Sequence, residues 1–484
     1  MRFNETKVKA MPTETSYEGG AVYAKNSLEE WINMLFSDFM ESNFYETHIS
    51  RQKRFEELTN AVIKDFGAEF AAKAAIFARN ELGMRSISQF VAARLNAENF
   101  NRKRDFFRGY PHRADDVAEV FAAIDKLQGK RSHACVRGFK DYLSGLDAYT
   151  LGKYKMNNRT YNMYDCINIT HATSAAINDY KAGWLEAPDT WEVAISTAAD
   201  EESKNKEWKR LVEENKLGYM ALIRNLRNIL NCGEISNAWI QEYLVPQLTN
   251  ERAIRKSLVF PYQIYSAYKN MQIRNMDVAM ALSTAFHIAI GNLPELDGDT
   301  CIILDVSGSM DAPISARSQI SIKEAGAVYA ASIMLQNPNC DFVKFGNYAK
   351  AFKYNMLDNI FDVIDAMVAN DDCGYGTDVI PAFELLSRHY DRIFLISDMQ
   401  VMEQYSYWAR RRRTTAEDAY KEYCRSYGQT ELYSFDLGNY HTQISNPNNP
   451  HVHLCTALNE KVMKFISLLE DGDSLFDYIN QVVF

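Results

Sequence analysis

The 484-residue chain has no hydrophobic run near the roughly 18 residues needed to cross a bilayer. Its opening stretch, MRFNETKVKAMPTETSYEGG, lacks the apolar centre of a secretory signal. A cytoplasmic protein with no membrane partner is therefore expected. Cysteine is sparse: eight residues, at 135, 166, 232, 301, 340, 373, 424 and 455, with no CxxC pair. That density frames no disulfide scaffold at this length and offers no zinc spacing, so reduced core thiols are expected. Proline (11) and glycine (22) are too few for a low-complexity chain. What is there, 47% hydrophobic and 24% charged residues, suits a globular protein, and the length calls for two or more domains.

An overall excess of basic charge is also missing, since the formal net charge is −10. The distribution is uneven, however. Residues 51–160 carry 21 basic against 13 acidic side chains, whereas residues 301–484 carry 15 against 24. Polyanions respond to the field of a local patch rather than to net charge, so the basic segment keeps nucleic acid open as a partner.

Two different periodicities divide the chain. Up to about residue 290, apolar residues recur at three- and four-residue spacing in segments such as 27–42, 54–82, 114–128 and 217–230, with Gly, Pro and Asn between them. No alternating strand is expected there. Serial helical hairpins of HEAT-like type or a compact all-α domain both fit this spacing. From about 295 short apolar runs alternate with helical stretches: CIILDV, CDFVKF, AKAFKY, RIFLISD (392–398) and ELYSFDLG (431–438), with helices expected near 357–369, 378–389 and 413–426. That alternation predicts a doubly wound, largely parallel sheet. The expected fold is thus α followed by α/β, with an α-helical module over 1–293 and an α/β domain over 294–484.

Open parallel sheets present their sites at the carboxyl ends of strands. CIILDV delivers Asp305 to such an end, and DVSGSM alternates Asp305, Ser307 and Ser309 so that three oxygens can turn to one point. CGYGTDVI brings Thr377 behind two glycines, and RIFLISD delivers Asp398 at another strand end. Five hard oxygens with few formal charges suit Mg²⁺, with Mn²⁺ second, and leave room for water or a partner's carboxylate. No His or Glu beside them in sequence supplies a general base, so no catalysis is expected. The order of these residues resembles the metal-ion-dependent adhesion site of von Willebrand factor A domains.

Five stretches before it extend the resemblance: GMRSISQFVAARL (83–95), RGFKDYL (137–143), LGKYKMNNRTYNMYDCINITH (151–171), WKRLVEENKLGYMALIRNLRNI (208–229) and VFPYQIYSAYKN (259–270). In this order, ahead of that metal motif, they resemble the Ro 60 kDa autoantigen family, whose helical part is the TROVE module. The resemblance implies a ring of HEAT-like helical repeats closed by the A-type domain. It implies binding of small noncoding Y RNAs outside the ring and of single-stranded 3′ ends of misfolded RNA through its hole, in RNA quality control. Lys153, Arg159 (after a one-residue shift) and His171 match the family's RNA-contact stretch. ATS follows His171 where the family commonly has Lys-Pro, a departure that bears on Y RNA binding. Lys155 joins them on charge, and Arg137 and Lys140 could face the lumen. A ribonucleoprotein monomer is expected, with a protein such as a nuclease as a candidate partner at the metal site.

Other features read more plainly. Arg224 and Arg227 sit in an apolar block and read as structural, and the basic run 409–413 as balancing nearby acids. The 28 tyrosines and 26 phenylalanines read as packing residues, and PNNPHVHLC (447–455) as a loop. The alternative function is a metal-dependent protein-interaction scaffold that binds no RNA.

Overall fold

Helices in the first half end where the sequence removes their support. The stretch 54–82, expected as one helix, is cut at Gly67, whose φ of 90° caps the helix His48–Phe66 and starts the helix Ala68–Ile76. Only glycine takes that conformation without strain. Elsewhere Ser, Thr, Asp and Asn side chains cap helix starts, as Ser132 does for His133–Ser144 and Asn162 for Met163–Thr170. The computed structural model describes residues 14–484 apart from 38–45, 128, 155, 157–158, 186–189, 234, 294, 316–317, 338, 354–358, 370–371, 403–414, 456–465 and 467–474.

The helices pack mainly on near neighbours in sequence. Ser86–Leu95 lies against Asp115–Lys126, Lys103–Gly109 against His133–Ser144, and Pro261–Lys269 against Met276–Ile290. One core holds Leu28 to Ile177, and a second begins at Trp208. This serial packing is that of helical repeats rather than of a single all-α core.

Nine strands are described: β1 (Glu14–Thr15), β2 (Ala21–Ala24), β3 (Thr300–Asp305), β4 (Cys340–Phe345), β5 (Ala349–Phe352), β6 (Arg392–Ser397), β7 (Glu431–Asp436), β8 (Thr442–Gln443) and β9 (Val452–Cys455). The main sheet runs β5-β4-β3-β6-β7-β9, parallel except for the β5 edge. Alternate residues of each strand serve opposite faces. Ile302, Leu304, Phe394 and Ile396 pack with the helix Ile322–Gln336 side, while Cys301, Ile303, Ile393 and Leu395 pack with Val379, Phe383 and Tyr420. Helices on both faces explain why these strands read as unbroken apolar runs.

Three sequence expectations are corrected. Residues 452–455, expected as loop, form β9 parallel to β7, with His451 and His453 both bonded to Glu431 (2.7 and 2.6 Å). Residues 14–24, in the half expected to lack strands, form β1 and β2, and β2 pairs antiparallel with β8. Their brevity hid them, because four residues show no period. The helix expected near 378–389 is confined to Ile380–Glu384.

Among the described residues the two halves meet at three places. At the chain junction, Tyr265 donates to Glu324 (3.1 Å), Lys269 pairs with it (2.6 Å), and Tyr268 stacks on Phe361 (ring centroids 4.0 Å apart). At the other end of the helical array, β2 joins β8, Lys25 pairs with Asp436, and Arg51 and Arg54 donate to the carbonyls of Gly438 and Asn439. Finally, the helix Leu475–Gln481 returns to Ala68–Ile76, where Phe476 stacks on Phe70 (4.9 Å) and Ile479 is buried. The helical array thus comes back to the domain it leads into, which closes a ring. The linear division at 293 is crossed by both termini.

One buried acid lies beside this closure. Burial pushes the Glu29 carboxyl up to about 7, despite hydrogen bonds from Asn26. The folded value exceeds that of an ordinary glutamate, so the fold favours the neutral form. Glu29 therefore removes stability progressively as pH rises from about 4.5 to about 7, by up to roughly 3 kcal/mol. Glu29→Gln, which keeps the cap acceptor, is expected to flatten that loss. Urea midpoints at pH 5 and pH 8 check it: the variant should gain on the parent only at pH 8.

Candidate functional site

The metal motif assembles at the switch point of the sheet. β3 is followed by β4 on one side and bordered by β6 on the other, so the ends of β3 and β6 open a crevice. Asp305 ends β3 and Asp398 follows β6, and both are fully buried. Asp305 Oδ1 accepts from the Ser307 amide (2.9 Å) and Oδ2 from Ser397 Oγ (2.7 Å). Ser307 Oγ lies 3.3 Å from Ser309 Oγ, and the Ser309 side chain bonds to Asp398. The loop carrying Thr377 is stitched on by Gly308 N–H to the Tyr375 carbonyl (2.9 Å), and Thr377 is itself buried. Ser397 is a residue the sequence reading passed over. Its place at the last residue of β6 gave no local sign that it would hold Asp305.

Two carboxylates buried side by side repel. Burial pushes Asp305 up to about 6, and burial followed by the charge of Asp305 pushes Asp398 up to about 8. The pair lacks a neighbouring Lys or Arg among the described ion pairs. Two carboxylates and three hydroxyls are the donor chemistry of a hard divalent cation, which would hold both acids ionised. Among the described residues no group of three His, Cys, Asp or Glu side chains forms a metal-holding cluster, so any such centre depends on the hydroxyls.

On the helical half, the structure brings Lys153 and Arg159 together through residues that the sequence reading missed. Arg85, Arg113 and Arg159 converge on the buried carboxylate of Asp115 (2.8, 3.1 and 3.1 Å), and Arg159 also pairs with Glu119. Three guanidiniums therefore face two carboxylates. Arg113 stacks over Tyr154 (5.1 Å), and the Lys153 ammonium lies over the same ring (5.9 Å) while pairing with Glu192 (3.1 Å). Each guanidinium is roughly one-third exposed, so its free edge remains open to an anion. No local signal could have linked Arg85 and Arg113 to Arg159, because only the fold joins them.

His171 is exposed at the C-terminal cap of Met163–Thr170, with φ 54°. It stands at the far end of that eight-residue helix from Arg159, about 12 Å along the axis. Thr173 N–H to Ser144 Oγ (3.2 Å) ties its turn to the helix carrying Arg137 and Lys140. Arg137 is exposed with no ion-pair partner among the described residues, and Lys140 is half-buried. Lys155 and the basic run 409–413 lie outside the described residues. Arg224 and Arg227 are not structural: both are exposed, opposite the buried Leu222, Ile223 and Leu226.

A TROVE domain matches residues 169–288. The rat telomerase protein component 1 is 31% identical over 87 residues, 18% of this chain and 3% of that one. The RNA-binding protein RO60 of Caenorhabditis elegans is 26% identical over 185 residues, 34% of this chain and 28% of the relative. The matched stretches thus span only a small part of these relatives' own lengths. The crystal structure of the Deinococcus radiodurans RO (RSR) protein shares the fold, with a TM-score of 0.64 over 91% of this chain and 99% of that one, at 17% identity. A helical-repeat array carrying a TROVE domain and closed by a von Willebrand factor A-type domain defines the class. The chain thus carries a TROVE-domain match over part of its length and shares the fold of the RO protein. No helix among the described residues is long and apolar enough to cross a membrane.

Proposed function

We propose that the chain is a non-catalytic RNA-binding protein of the Ro type, which takes small Y-like RNAs and the single-stranded ends of misfolded RNA. The observation that carries this reading is the convergence of Arg85, Arg113 and Arg159 on Asp115, continued through Tyr154 to Lys153. Guanidiniums held in a fixed fork by a buried carboxylate are preorganised for phosphate oxygens. His171, Arg137 and Lys140, with Lys155 on charge, extend the proposed contacts along the same array. The relative named an RNA-binding protein supports the same reading. On this proposal the protein acts as a cytoplasmic monomer.

Asp305, Ser307, Ser309, Thr377 and Asp398 would hold Mg²⁺, or Mn²⁺ in its place. Bound there, the cation supplies an open coordination position for a carboxylate of a protein partner such as a nuclease.

Gel shifts with a structured RNA bearing a single-stranded 3′ tail test the reading. The parent is expected to bind with a steep log–log salt slope. Lys153→Ala with Arg159→Ala is expected to weaken binding about tenfold or more and to flatten that slope by roughly two, about 0.9 per lost phosphate contact. Undiminished binding by the double variant would reject these contacts. The acidic A-type half favours a second reading, a protein-docking scaffold, which a parent with no RNA affinity would support.

A further inference from the structure

We propose that Tyr164, Lys181 and Trp184 form a stacking platform for unpaired RNA bases. It rests on the RNA-binding reading above and adds to it a place where single strands are distinguished from duplex.

Most large aromatic side chains of the helical half fill its cores, and these do not. Trp184 is 77% exposed and Tyr164 48%. An indole left in water adds nothing to core packing and leaves its ring face open to a ligand. Tyr164 lies in the first turn of Met163–Thr170, beside rather than on the buried stripe of Met163, Cys166 and Ile167. The reciprocal Asn162–Asp165 cap fixes that turn (2.9 Å each way). The Lys181 ammonium sits over the Tyr164 ring, 5.9 Å from its centroid, and has no ion-pair partner among the described residues.

Trp184 follows Lys181 by three residues, just past Gly183. The cap at Gly183 (φ 73°) is closed by Trp184 N–H to the Asp179 carbonyl (2.9 Å). A side chain in that position normally folds back onto its helix; here the ring stands out instead. Two exposed rings on fixed backbone, with an ammonium unpaired among the described residues over one of them and three residues before the other, offer π faces and a phosphate counter-charge. That pairing is the chemistry of single-strand binding, where each stacked base contributes about 1–3 kcal/mol. The surface also adjoins the basic site. The helix ending at Lys181–Ala182 packs on Ala148–Lys153, whose exposed Tyr149 lies one turn from Lys153 on the same face.

The full chain is titrated with a fluorescent oligouridylate and with a blunt, fully paired hairpin. Trp184→Ala and Tyr164→Ala are each expected to weaken oligouridylate binding about tenfold, within the stacking range. Hairpin affinity and the log–log salt slope should stay at parental values, because no phosphate contact is lost. Trp184→Phe, which retains a ring face, should keep most of the affinity. Thermal melts of all variants are expected to match the parent, since neither ring packs in a core. Oligouridylate binding at parental strength by both alanine variants overturns the platform while leaving the RNA reading intact. A parent that binds neither RNA overturns the reading and the platform with it. A protein retained by the parent and lost by Trp184→Ala, with RNA affinity unchanged, makes this a protein-docking face and overturns the platform.

Discussion

On the proposed metal site, Asp398→Asn is expected to abolish the Mg²⁺-dependent stabilisation predicted for the parent protein, and to leave the cation-free protein more stable than the parent. The argument starts from the two carboxylates. Asp305 and Asp398 are fully buried at the ends of β3 and β6, and their only described compensation is hydrogen bonding from Ser307, Ser309, Ser397 and the Gln400 amide. Neutral hydroxyls and amides do not cancel two charges in a low-dielectric crevice. An isosteric amide removes one charge and keeps the cavity filled, so the repulsion ends. The same change removes a ligand and half of the site's negative charge, so a hard cation loses its hold. A cation that binds only the folded protein stabilises it by about 2.7 kcal/mol at one hundred times its dissociation constant. Melting temperatures in chelator and in millimolar Mg²⁺ read both effects. A variant that keeps the parental Mg²⁺ shift would remove Asp398 from the site.

The A-type domain was largely legible because its signal is local. Strands buried on both faces read as the unbroken runs CIILDV and RIFLIS, and the two acids stand immediately at their ends, where sheet topology places sites. The helical array was legible as helices but not as a surface. Periodicity marks the buried stripe of a helix and says nothing of which exposed residues from different hairpins meet. Arg85, Arg113 and Arg159 share one carboxylate only because their helices stack. Trp184 was hidden among many aromatic residues for the same reason, since composition cannot tell a ring in a core from one in water. Reading the tyrosines and phenylalanines as packing residues holds for Phe106, Phe107, Phe121 and Phe139, which interlock edge to face, and fails at Tyr164. The clasp of β2 on β8 left no sequence trace either, because both strands are too short to show a period.

That clasp carries the second large effect. Lys25 is buried at the end of β2, where its ammonium pairs with Asp436 and donates to the Tyr440 carbonyl (2.7 Å). Asp436 in turn accepts from the Gly438 and Asn439 amides (2.9 Å each), which shape the turn that Arg51 and Arg54 grip. Lys25→Met fills the same space but leaves Asp436 buried without its counter-ion, a change that costs about 3–5 kcal/mol. The backbone pairing of β2 with β8 spans two residue pairs and cannot offset a loss of that size. The ring is therefore expected to open at its N-terminal closure while the sheet β5-β4-β3-β6-β7-β9 stays folded. Hydrogen exchange should rise sharply at residues 21–25 and 436–443 and remain slow in β3 and β6. Asp436→Asn placed on Lys25→Met removes the stranded charge and is expected to restore part of the loss. The double-mutant cycle therefore isolates the pair, and a coupling near zero would mean that the other contacts of the closure hold it without the pair.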